Sequence, residues 1–123
     1  MSKKVIVIDD SLTVRQQVGM ALRQAGFEVI EAADGDEGAD LIGRNADAAM
    51  VICDVNMPRM NGLELLELIK KDGKNANLPV LMLTTEGQPQ LIDRAKKSGA
   101  KGWVVKPFKP ELLVAAVKKL TLA

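Results

Sequence analysis

The sequence predicts an α/β domain, a doubly wound, five-stranded parallel sheet with five helices. Short apolar runs rich in Val and Ile alternate five times with segments of helical period. Strict alternation of strand and helix implies right-handed crossovers onto a parallel sheet with helices on both faces. The first run, Val5 to Ile8, is also apolar throughout rather than at every second residue, as a strand covered on both sides requires.

Each element has its own signal. Val5 to Ile8 is the first strand; Ser11 caps a helix carrying Val14, Val18, Ala21, Leu22 and Ala25, which Gly26 stops. Phe27 to Ala32 is the second strand, and Asp36 to Gly43 a second helix whose apolar face is only Ala39 and Ile42. Ala48 to Val55 reads as the third strand, and Leu63, Leu66, Ile69 and Lys70 place a third helix after Gly62. Pro79 to Leu83 gives the fourth strand, and Pro89 suits the first turn of a helix ending near Gly99. Gly102 to Val105 is the fifth strand, and Pro110 opens a last helix with Leu113, Val117 and Leu120 on one face. Residues 1–123 are expected to form one domain, with nothing left for an output module.

Composition excludes several functions. With 17 Lys and Arg against 16 Asp and Glu, the formal charge is +1, which supplies no polyanion-binding stripe, so nucleic acid is not an expected partner. The four apolar residues after MSKK are too few for a signal-peptide core, and no run reaches membrane-spanning length; the expectation is a cytoplasmic monomer. Cys53 is the single cysteine and reads as core filler. Histidine is absent, which removes Ser-His-Asp and Cys-His catalysis and histidine zinc sites together. Chemistry must therefore run on carboxylates, hydroxyls and lysines.

In an open parallel sheet, ligands bind beyond the carboxyl ends of the strands. Those ends carry Asp9-Asp10, Asp54, Thr84-Thr85 and Lys106. Taken singly, each has an ordinary explanation: Asp10 or Ser11 as a helix cap, the threonines as loop hydroxyls bonding to backbone, Lys106 as a solvated strand end or the salt-bridge partner of Asp54. Together they conflict, because three carboxylates at one edge repel each other unless a cation joins them. All-oxygen ligation favours a hard ion such as Mg²⁺, with Mn²⁺ as a substitute, bridging carboxylates to a phosphate. Lys106 and Thr84 then supply a charge and a hydroxyl to a phosphoryl site that has its own nucleophile.

The segments VIDDS (7–11), DVNMPRMNG (54–62), LTTE (83–86) and VKPF (105–108) together resemble the receiver domain of two-component response regulators, closely the single-domain CheY-like proteins. The likeness covers the whole chain, with four motifs in order at the right strand ends. It implies the sheet order 2-1-3-4-5, which periodicity does not give. It implies Asp54 as phosphoacceptor, Asp10 and Asp54 as direct Mg²⁺ ligands, Asp9 as a ligand through water, and the backbone carbonyl of Asn56 as a further ligand. Thr84 resembles the hydroxyl that bonds the phosphoryl group, and Lys106 the lysine that pairs with it.

The resemblance also implies partners: a sensor histidine kinase as donor, a downstream target such as a flagellar motor switch, and an assisting phosphatase. The polar residues Asn56 and Glu86 suit a short-lived acyl phosphate. Such a protein catalyses its own phosphorylation and dephosphorylation without turning over an external substrate. Trp103 stands where the family places a switching aromatic; it reads equally well as a cover for apolar surface beside the fourth helix. For Lys106-Pro107, sequence statistics favour trans, whereas the resemblance implies a cis bond aiming the lysine inward. Three competing readings stand beside this one. A flavodoxin-like mononucleotide binder needs a Ser/Thr/Gly-rich loop after strand one, where this chain has Asp9-Asp10, and an Asp-nucleophile phosphatase needs a D-x-D pair there, where this chain's pair is adjacent. The third, a receiver-shaped scaffold, has lost phosphotransfer; a phosphate sink or relay keeps that chemistry and differs only in where the phosphoryl group goes.

Overall fold

The computed structural model describes residues 3–55, 57, 61–71, 77–85 and 89–121. Five strands and five helices alternate: β1 (Lys4–Ile8), α1 (Leu12–Gln24), β2 (Glu28–Ala32), α2 (Gly35–Arg44), β3 (Met50–Asp54), α3 (Gly62–Lys71), β4 (Val80–Thr85), α4 (Pro89–Lys97), β5 (Gly102–Lys106) and α5 (Pro110–Leu120). The strands pair in parallel in the order β2-β1-β3-β4-β5.

The two faces of the sheet follow from the two-residue period of a strand. Ile6, Ile8, Val51, Cys53, Val80 and Met82 pack with Ile42 of α2, Leu66 and Ile69 of α3 and Ala95 of α4. Val5, Val7, Met50, Ile52, Leu81 and Leu83 pack with Val18 and Leu22 of α1 and Leu113 and Val117 of α5. Both faces are dry at β1, β3 and β4, which is why their sequences are apolar without alternation.

Element ends differ from the sequence expectation for local reasons. Phe27 precedes β2 because its N–H closes the end of α1 on the Leu22 carbonyl at 3.0 Å, after Gly26 at φ 95° has turned the chain. Ala48 lies in a turn, donating to the Asn45 carbonyl at 3.0 Å, so β3 begins later, at Met50. β4 runs on through Thr84 and Thr85, which therefore end a strand instead of opening a loop.

The weak apolar face of α2 has a steric explanation. Gly35 and Gly38 are buried, and a Cβ on Gly38 would sit 2.5 Å from Ile8 Cδ1. The helix buries backbone against β1, which no hydrophobic pattern registers. Its start is fixed by Asp34, whose carboxylate accepts the Glu37 N–H at 2.8 Å, while Glu37 accepts the Ala33 N–H at 3.2 Å. A fully reciprocal cap joins Asn61 and Glu64 at 2.9 and 3.2 Å and sets where α3 begins. Among the described residues, no helix is long and apolar enough to cross a membrane.

Candidate functional site

The strand order reverses between β1 and β3, and the chain leaves them toward opposite faces, through α1 and α3. That divergence opens a crevice at their carboxyl ends. Asp9 and Asp10 follow β1, Asp54 ends β3, Thr84 and Thr85 end β4, and Lys106 ends β5. One carboxylate oxygen from each of Asp9, Asp10 and Asp54 lies within 4.8 Å of the other two. Asp10 is exposed, but Asp9 is fully buried and Asp54 is 3% exposed. Alternation places Cys53 in the core beneath α2 to α4, and Asp54 emerges into a crevice walled by protein rather than onto an open rim.

Lys106 reaches across the sheet to this cluster. Its ammonium donates to Asp9 Oδ2 at 2.9 Å and pairs with Asp54 Oδ1 at 3.2 Å. Asp9 Oδ1 accepts the Ser11 N–H at 2.8 Å, and Ser11 Oγ accepts the Val14 N–H at 3.3 Å. Ser11 thus ties the first turn of α1 to the acid. Among the described residues, one ammonium pairs with two of the three clustered carboxylates. An oxygen-only donor set with one exposed member fits a hard divalent cation.

Burial alone would lower the pKa of Lys106, but the Asp9 hydrogen bond and the charges of Asp54 and Asp9 outweigh it and hold the ammonium above its ordinary 10.5. A raised lysine pKa adds stability that is fully present below 10.5 and is lost only as pH rises through the folded-state value. Urea midpoints of wild type and Lys106→Met should therefore differ by a constant amount from pH 7 to 10 and converge above it. Burial pushes the Cys53 thiol well above its usual range, helped by the charges of Asp54 and Asp9. It remains a packed thiol and not a nucleophile.

Among the described residues, Thr84 Oγ1 is buried without a hydrogen-bond partner. Buried hydroxyls are nearly always satisfied, and leaving one unmade costs about 1–3 kcal/mol. It sits one residue beyond the level of Asp54, which pairs in register with Leu83. A ligand bearing acceptor oxygens would satisfy it. Thr84→Val, which keeps the shape and removes the hydroxyl, should raise stability by about 1 kcal/mol in urea denaturation; a loss of stability would mean that the hydroxyl is structural.

Trp103 is half-buried on β5 opposite Met82, packed on the core beneath α2 to α4, with the Lys96 ammonium 4.5 Å above its ring. It covers apolar surface beside α4 and is anchored by a cation–π contact. The Lys106-Pro107 peptide is cis. Asn56 and Glu86 lie outside the described residues. Sequence reasoning took Gly62 only as a turn residue, yet a Cβ there would lie 2.2 Å from the Asp54 carbonyl oxygen. It passed over Arg15, whose Nη1 donates to the Asp9 carbonyl. A glycine as the first residue of a helix, directly after a loop from the acid, was the available signal for Gly62; none marked Arg15.

Residues 5–118 match the family model described as response regulator receiver domain. The chain is 40% identical over 111 residues to the chemotaxis protein CheY1 of Helicobacter pylori, covering 89% of this chain and 90% of that protein. A chemotaxis protein CheY homolog of Campylobacter jejuni is likewise 40% identical, with 89% and 85% covered. Among solved structures, Vibrio cholerae CheY4 superposes with a TM-score of 0.91 at 40% identity, covering 98% of this chain and 99% of that one. A putative response regulator from Chloroflexus aurantiacus gives 0.95 at 32% identity with both chains fully covered.

Proposed function

This chain belongs to the response regulator receiver domain family, and from that premise we propose that Asp54 accepts a phosphoryl group and that the aspartyl phosphate is the signal. The observation that carries this reading is the buried hydroxyl of Thr84, unpartnered among the described residues, beside strand ends that bring Asp54 and Lys106 to 3.2 Å. A salt bridge built for stability has no use for a neighbouring unsatisfied donor. A phosphoryl group on Asp54 would give that hydroxyl an acceptor.

In this reading Asp10, Asp54 and the backbone carbonyl of Asn56 would hold Mg²⁺ directly, and Asp9 would hold it through water. When bound, the ion neutralises the carboxylates and the developing charge on phosphoryl oxygens. The Asp54 carboxylate attacks phosphorus in line: a P–O bond forms as the P–N bond of a phosphohistidine breaks, and the imidazole leaves with the electron pair. The chain has no histidine, so the donor belongs to a sensor histidine kinase. Lys106 moves from the carboxylate to the phosphoryl oxygens, and Thr84 donates its hydroxyl to one of them.

Pulling Thr84 toward the new charge reorders the end of β4. Trp103, on the next strand, carries the change to the face made by α4, β5 and α5, where a downstream target binds. The relatives' names support a place in chemotaxis, and a flagellar motor component is the target this reading expects. Intact mass tests the acceptor chemistry. Acetyl phosphate with Mg²⁺ should add one phosphoryl group, and a chelator should prevent it. An unchanged mass in both conditions would leave a receiver-shaped scaffold.

A further inference from the structure

Arg15 closes the first turn of α1 and keeps only 14% of its side chain exposed, which is little for an arginine. Its guanidinium works in two directions. Nη1 donates to the backbone carbonyl of Asp9, and Nε faces Glu31 Oε1 on β2 at 3.4 Å. The other oxygen of Glu31 is held by Arg23 at 3.2 Å.

Asp9 is thereby fixed at every polar atom. Its N–H donates to the Ala32 carbonyl at 3.1 Å, its carboxylate is taken by Ser11 and Lys106, and its carbonyl by Arg15. That last contact matters for the next residue, because the Asp9 carbonyl belongs to the peptide that carries Asp10. Among the described residues no ion pair restrains the Asp10 side chain, so its direction is set by its backbone. We propose that Arg15 is a positioning residue for the cation site: it locks the Asp9–Asp10 peptide plane and so aims the Asp10 carboxylate at Asp54. Glu31 holds the guanidinium in that pose and cancels a positive charge that would otherwise repel the ion.

The inference rests on the Mg²⁺ site proposed above, and calorimetric titration of Mg²⁺ into the full chain separates the two. Wild type should bind. Arg15→Ala should bind about tenfold more weakly, as loss of an outer contact to a metal ligand does. Arg15→Lys, whose single ammonium cannot serve both partners, should fall between. Glu31→Gln should weaken binding by an amount that shrinks as salt rises, because its defect is an uncompensated charge, whereas the Arg15→Ala defect is geometric and should persist. Urea midpoints in metal-free buffer record any purely structural role, which would lower stability without changing the Kd of the folded protein. Unchanged Mg²⁺ affinity in both Arg15 variants overturns the inference and leaves the site standing. Absence of Mg²⁺ binding in wild type overturns the site and the inference with it. If Arg15→Ala does not fold, Arg15→Lys and Glu31→Gln carry the same comparison.

Discussion

Asp54→Asn should take up no phosphoryl group from acetyl phosphate and Mg²⁺, and in metal-free buffer it should be more stable than wild type. The amide removes the nucleophile while nearly preserving shape. Its effect on stability follows from the charges around it. Asp54 repels Asp9 and Asp10, whose oxygens lie within 4.8 Å, and attracts Lys106 at 3.2 Å. At an effective dielectric of about 20, each such pair is worth roughly 3–5 kcal/mol before solvation. Among the described residues two repulsions oppose one attraction, so a gain of about 1 kcal/mol in urea denaturation is the expected net. The paired signature separates loss of chemistry from loss of fold. A residual phosphoryl group on Asp54→Asn at the wild-type rate would put the acceptor elsewhere, and a less stable variant would make Asp54 a structural ion-pair partner first.

Gly62→Ala should lose about 3 kcal/mol of stability and slow phosphoryl uptake at least tenfold. A Cβ at this position meets the Asp54 carbonyl oxygen at 2.2 Å, the Asp54 carbonyl carbon at 2.9 Å and Met82 Cε at 2.9 Å. A methionine tip can move, but the Asp54 carbonyl belongs to the backbone at the end of β3. The neighbouring hydrogen bonds, Val55 N–H to the Leu83 carbonyl at 2.9 Å and Gly62 N–H to the Val55 carbonyl at 3.0 Å, hold both sides of the contact. Relief must therefore displace the residue that carries the carboxylate, and a shift of about 1 Å at a reacting group can cost on the order of a hundredfold in rate. Asn61→Ala is the control: it loses the cap of α3, worth about 1 kcal/mol, without placing an atom against Asp54. Equal uptake rates for Gly62→Ala and wild type would show that the carboxylate tolerates the shift.

The sequence by itself determined the architecture and the identity of the acids. Continuous apolar strands demanded cover on both faces, helical segments between them demanded parallel crossovers, and the absence of histidine left carboxylates, hydroxyls and lysine to do the chemistry. It also set Asp9, Asp10, Asp54, Thr84 and Lys106 at one edge, because alternation alone places every strand end there. Tertiary structure decided what periodicity does not encode: distances between strands and the close approach of backbones. Lys106 could be placed at an edge from sequence, but only the β1–β3–β4–β5 order brings its ammonium to Asp54 and Asp9. Gly38 and Gly62 carry no hydrophobic signal, yet each permits a helix to touch a strand where a methyl group would not fit. The orphaned hydroxyl of Thr84 and the grip of Arg15 on Asp9 are of the same kind. Hydrogen bonding depends on which groups meet across the fold, and that pairing is fixed by packing rather than by spacing along the chain.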